Sequence, residues 1–229
     1  MPTTHVLMVT DMSGSMAPSV AAVRSGFNEY VANLPRDREG EMKFRVTAWT
    51  FNTEAKCIAS HAKPEEVPMM DHHNYNPAEL TALIDAVWSA LDDLQDTVTL
   101  EKDDKVLVFI QTDGAENASR LHTQPELARR IAELTADGQW GFLYVGSGVE
   151  SWQQGYGLGV PVVRSSDRSS QWYRFSYGTM REATARYAGG QTTNSVADFM
   201  EAENVGAGML TPDPEPPSPD PGSPGPAGN

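Results

Sequence analysis

The run Val106-Leu107-Val108-Phe109-Ile110 limits the possible folds more than any other part of the chain. Five consecutive apolar residues, mostly β-branched or aromatic, suit a strand. Side chains of a strand alternate between two faces, so such a run must be covered on both, as the inner strands of a parallel sheet are. A second run of this kind, Val6-Leu7-Met8-Val9, lies just after the N-terminus.

Helical spacing separates these runs. After Pro18, which suits a first helical position, Val20, Val23, Phe27, Tyr30, Val31 and Leu34 recur at intervals of three and four. The same spacing links Leu80, Leu83, Ile84, Val87, Trp88, Leu91 and Leu94, which puts Thr81 in the first turn of that helix. Pro125 opens a third helix through Leu127, Ile131 and Leu134, and Gly138 closes it. Phe44 to Phe51 and Ala55 to Ser60, joined by Asn52-Thr53-Glu54, form a hairpin with one edge strand. Residues 63–77 lose periodicity and gather Pro, His and Asn, which marks a loop. Trp140 to Val145 and Val160 to Val163 are further strands, with a short helix near Ser151 between them and a last helix from Ser170 to Tyr187.

Alternation of strands and helices predicts an α/β fold. Its centre is a Rossmann-like, doubly wound, mostly parallel sheet with one antiparallel edge strand and helices on both faces. One domain is expected over residues 1–189, a poorly ordered connector over 190–210 and a disordered tail over 211–229. That tail holds half of the 16 prolines together with Asp213, Glu215 and Asp220, and it lacks the apolar surface needed to offset its ordering entropy.

Composition narrows the function. With 229 residues and 39% hydrophobic content the chain can fill one sizeable core. A net charge of −14, without any basic cluster, argues against nucleic acid or an anionic membrane as partner. The single cysteine, Cys57, excludes an internal disulfide framework and a cysteine-based zinc cage and fits a reducing compartment. No apolar run approaches the roughly 20 residues that span a bilayer, so the expected setting is cytoplasmic.

Chemistry concentrates where the two apolar runs end. The first leads into Asp11-Met12-Ser13-Gly14-Ser15, one carboxylate and two hydroxyls at two-residue spacing; the second leads into Asp113-Gly114. Both turns occupy strand carboxyl ends, where doubly wound sheets bind ligands. Hard oxygen donors suit Mg²⁺, Mn²⁺ or Ca²⁺ better than zinc or copper. His72 and His73 invite a different metal, but neighbouring side chains usually diverge and no second His/Cys pair stands at zinc spacing.

Asp11-x-Ser13-x-Ser15, Thr81 and Asp113-Gly114, in this order on these elements, resemble the von Willebrand factor type A domain and its metal-ion-dependent adhesion site. The resemblance covers about residues 5–187. It implies Ser13, Ser15 and Thr81 as hydroxyl ligands, with Asp11 and Asp113 binding directly or through water. Two carboxylates and three hydroxyls leave a divalent cation electrophilic, and Mg²⁺, which favours six oxygen ligands, keeps waters that a partner's Asp or Glu can displace. Glu116 and Asn117 follow Asp113 closely enough to contact a ligand at a rim, and Asp85, one helical turn after Thr81, is placed to join that rim or to hydrogen-bond to the neighbouring metal loop. The resemblance therefore implies a protein-binding module. A metal-dependent hydrolase or phosphoryl-transfer enzyme is the rival, although Ser13 stands where a phosphate-processing Asp-x-Asp motif needs a carboxylate and no Walker-type loop is present. A metal-independent scaffold is the third reading.

Overall fold

The computed structural model describes residues 1–38, 41–165 and 169–206. Six strands are formed by Thr3–Asp11 (β1), Lys43–Phe51 (β2), Ala55–Ala62 (β3), Lys105–Thr112 (β4), Trp140–Ser147 (β5) and Val162–Ser165 (β6). They make one sheet in the order β3-β2-β1-β4-β5-β6. All neighbours are parallel except β2 and β3, which pair antiparallel at one edge. The α/β, mostly parallel architecture expected from the sequence is therefore present.

Alternation within the inner strands divides the core. Val6 and Met8 of β1 and Leu107 and Phe109 of β4 face helices Val20–Ala32 (α1) and Ser170–Ala188 (α5). Leu7, Val9, Val106, Val108 and Ile110 face Leu83–Thr97 (α2) and Gln124–Thr135 (α3) on the other side. Each of these strand residues is at most 1% exposed, so unbroken apolarity follows from cover on both faces. Val149–Gly157 (α4) connects β5 to β6. Among the described residues no helix is long and apolar enough to cross a membrane.

Three expectations need correction. Pro18 lies inside a 3-10 segment, Gly14–Ser19, and α1 starts two residues later at Val20. Thr81 precedes α2 rather than sitting in its first turn. Its N–H donates to Asn117 Oδ1 (2.8 Å) and its carbonyl accepts from the amides of Asn117 and Ala118, so long-range bonds replace helical ones. The connector expected over 190–210 instead holds a helix, Thr193–Gly206 (α6), which buries Val196, Ala197 and Met200 in the α1/α5 core layer. The tail 211–229 lies outside the described residues.

Candidate metal centre

Strand order reverses between β1 and β4, whose outward connections run in opposite directions along the sheet. A crevice opens at the carboxyl ends of such a pair. Asp11 is the last residue of β1, and Asp113 directly follows β4. Parallel register, with Thr10 opposite Gln111, brings the two acidic turns side by side.

Hydrogen bonds then fix the first turn. Asp11 Oδ1 accepts the Ser13 N–H at 2.6 Å, and its Oδ2 accepts the Thr112 hydroxyl at 2.6 Å. Tyr75 donates its hydroxyl to the Asp11 carbonyl at 2.8 Å. Burial keeps that phenol protonated by raising its pKa far above the usual value, so it stays a donor. The Gly14 amide bonds the Glu79 carbonyl at 3.0 Å. Backbone approach at Gly14 is close, but a Cβ there would sit 3.5 Å from that carbonyl, an ordinary contact, so glycine is not sterically required.

Three of the five expected ligands form a chain. Ser13 Oγ and Ser15 Oγ lie 3.1 Å apart, and Ser15 donates to Asp113 Oδ1 at 2.5 Å. Thr81 completes the group: a Cβ added to Gly114 would lie 3.7 Å from Thr81 Oγ1 and 3.9 Å from Ser15 Oγ. Both hydroxyls thus face the side of Gly114 that carries no side chain. Asp11, Ser13, Thr81 and Asp113 are buried, whereas Ser15 and Gly114 reach solvent.

The electrostatics of this pocket are unbalanced. Among the described residues no Lys, Arg or His pairs with Asp11 or Asp113. Burial pushes the Asp11 carboxyl up to about 6, the bonds from Thr112 and Ser13 pull against that rise, and the Asp113 charge adds to it. A buried carboxylate next to a second one is stabilised by a cation between or beside them, which none of the described residues provides.

The three expected rim residues make hydrogen bonds within the protein, and Asp85 bonds the loop after β4 as its place one turn after Thr81 suggested. Glu116 accepts the amides of Ile84 (2.9 Å), Ala118 (2.8 Å) and Ser119 (2.7 Å) and the Ser119 hydroxyl (2.7 Å). Asp85 accepts the amides of Arg120 (2.7 Å), Leu121 (3.2 Å) and His122 (2.9 Å). Asn117 holds Thr81 through its side chain and backbone. These residues clamp the loop after β4 to the start of α2, and so position Thr81 and Asp113 relative to each other. Thr112 and Tyr75 are the residues that sequence reasoning passed over. Thr112 was detectable as a hydroxyl one position before Asp113, while Tyr75 lies in an aperiodic loop and carried no signal. Trp152, beside the Gly146–Gly148 turn, is tied down as well, by a bond from Nε1 to the Gly146 carbonyl at 2.9 Å.

No protein-family model and no curated protein matches the sequence. Solved structures do match. Proximal thread matrix protein 1 from the mussel byssus aligns with a TM-score of 0.60 at 14% identity, over 82% of this chain and 46% of that one. The same protein with a zinc-occupied MIDAS motif aligns at 0.52 and 13%, over 82% and 45%. A von Willebrand factor type A protein from Catenulispora acidiphila aligns at 0.55 and 15%, over 80% and 42%. The chain thus spans less than half the length of each of these proteins. With the six-stranded order and the helices on both faces, the likeness establishes that this chain has the von Willebrand factor type A fold.

Proposed function

We propose that the chain is a binding module. In this reading Asp11, Ser13, Ser15, Thr81 and Asp113 hold a divalent cation, Mg²⁺ by preference with Mn²⁺ or Ca²⁺ as substitutes. An open position on the cation accepts an Asp or Glu side chain from a partner protein. The observation that carries the proposal is the Ser13–Ser15–Asp113 oxygen chain beside Thr81, next to buried carboxylates that have no cationic partner among the described residues.

The donor set fits the ion. It is all hard oxygen, and neighbouring ligands around Mg²⁺ at about 2.1 Å stand about 3.0 Å apart in an octahedron. The 3.1 Å between the two serine oxygens is of that size, and the 2.5 Å hydrogen bond from Ser15 to Asp113 would widen as the ion replaces its proton. Since Asp11 spends both oxygens on Ser13 and Thr112, its role is to orient the turn and to supply charge through bridging water. Ser15, the exposed hydroxyl, stands on the side open to a partner. When bound, the cation supplies an electrophilic centre for the incoming carboxylate.

The byssus protein's zinc-occupied motif supports metal occupancy in this fold. A non-enzymatic role is favoured because, among the described residues, no imidazole hydrogen-bonds to Ser13, Ser15 or Thr81 to activate a nucleophile. A cytoplasmic setting belongs to the same reading and rests on the free thiol of Cys57.

The test is thermal unfolding of EDTA-treated protein during titration with Mg²⁺ or Mn²⁺, comparing wild type with Asp113→Ala. At a hundred times the dissociation constant, binding adds about 2.7 kcal/mol of stability. That corresponds to a rise of about 5–10 °C, absent in the variant. A wild-type melting temperature indifferent to both metals would end the proposal. Partner capture in Mg²⁺ but not in EDTA then identifies the ligand.

A further inference from the structure

We propose that Asp71, His72 and His73 form a second metal site, for a transition-metal ion of borderline softness such as Zn²⁺, Ni²⁺ or Cu²⁺. This site is independent of the oxygen site, shares no residue with it and selects a different class of metal.

Adjacent side chains diverge in a strand, but residues 72–74 form a turn, and here they do not. The two imidazole rings stand 3.7 Å apart between centroids, tilted by 42°. One potential ligand atom from each of Asp71, His72 and His73 lies within 4.8 Å of the others. Ligands around tetrahedral zinc, at about 2.0–2.1 Å from the ion, are separated by about 3.3 Å. Side-chain rotation alone closes the difference, because all three residues are exposed.

The turn is held rigidly from behind. Asn28 of α1 bonds both the amide and the carbonyl of Met70, at 2.7 and 3.0 Å. Arg24 of α1 donates to the Tyr75 carbonyl through two nitrogens, and the Tyr75 amide bonds the Asp71 carbonyl at 2.9 Å. Met70 and Tyr75, on either side of the turn, are buried. The backbone between them is therefore fixed before any ion arrives, which lowers the entropy lost on binding.

Available donors face outward from this turn. No hydrogen bond is made by the ring nitrogens of His72 or His73 among the described residues. Asp71 accepts the His73 amide through Oδ1 at 2.7 Å, and the carboxylate keeps further lone pairs for a metal. Two imidazoles and one carboxylate suit zinc, nickel and copper, whereas the all-oxygen set at Asp11 suits magnesium. Three protein ligands also leave a coordination position for water or a partner's side chain.

The test uses untagged, EDTA-stripped full-length protein carrying Asp113→Ala, so that zinc cannot occupy the oxygen site. Calorimetric titration with ZnCl₂ should give one zinc per chain. His72→Ala, His73→Ala and Asp71→Asn should each weaken it at least tenfold; the last keeps the turn's acceptor oxygen and removes only the charge. Ni²⁺ should selectively broaden the NMR signals of His72 and His73 among the five histidines of the chain. Failure to bind zinc, unchanged binding in a His72→Ala/His73→Ala double variant, or broadening centred on His5, His61 or His122 would each overturn the assignment.

Discussion

Replacing Glu116 distinguishes a residue that recognises a ligand from one that holds the scaffold. Its carboxylate accepts four hydrogen bonds, three of them from backbone amides in two separate segments. The Ile84 amide belongs to the first turn of α2, so Glu116 does the work of a helix cap from outside the helix. Losing a cap costs about 1 kcal/mol. The amides of Ala118 and Ser119 are only half-buried, and water replaces part of what they lose, which leaves about 0.5–1 kcal/mol each. Glu116→Ala should therefore cost about 2–3 kcal/mol, or roughly 4–12 °C in melting temperature for a chain of this size. Glu116→Gln should fall between, because its amide oxygen keeps some of these bonds while its NH₂ group opposes donors. Thermal unfolding by circular dichroism in EDTA measures both without any contribution from metal. If Glu116→Ala melts like the wild type in EDTA and loses only partner capture, the clamp is wrong and the residue belongs to the binding rim.

Other perturbations probe other parts of the frame. Buried His5, stacked on His61 at 5.1 Å, has its pKa lowered to about 4, first by burial and then by the His61 charge. The unfolded chain, with an ordinary value near 6.5, takes up this proton first, so stability falls as pH drops from about 6.5 towards 4. Between pH 7 and 5 the loss is about 2 kcal/mol, measured as the difference in urea unfolding between wild type and His5→Phe. Using the difference removes the opposing contribution of Asp11, whose raised pKa favours the folded state in acid. Equal pH slopes in the two proteins would refute it. At Gly26 of α1, a Cβ would stand 2.3 Å from the Tyr177 ring of α5. That ring cannot retreat, since its hydroxyl is anchored to Gln111 Oε1 at 2.7 Å. Gly26→Ala should lose about 1–2 kcal/mol despite alanine's better helix propensity, and a melting temperature at or above wild type would contradict the close packing of α1 on α5.

Side-chain identity made the sheet and the oxygen donors legible. Val106 to Ile110 had to be covered on both faces, and Asp11, Ser13, Ser15, Thr81 and Asp113 carry their chemistry in their names. What stayed hidden depends on backbone partners far away in sequence. Thr81 fits the apolar spacing of α2, yet its amide and carbonyl bond residues 36 and 37 positions later, which holds it outside the helix. Helix α6 was missed because its apolar residues are few, with Val196, Ala197 and Met200 buried and Phe199 partly so among those described, and the glycines at 189 and 190 suggest an end rather than a pause. Asp85 and Glu116 show the same gap more sharply. Glu116 in a loop above a strand end and Asp85 in the first turn of α2 both read as rim ligands, because the amides that claim them have no sequence signature. Every buried or half-buried amide must nevertheless find an acceptor, and the loop after β4 contains several without helix or strand partners. Once those amides are paired, Asp85 and Glu116 are consumed in holding Thr81 and Asp113 in place. The two carboxylates at the sheet's switch point, Asp11 and Asp113, have no cationic partner among the described residues, and that imbalance is what the proposed metal would offset.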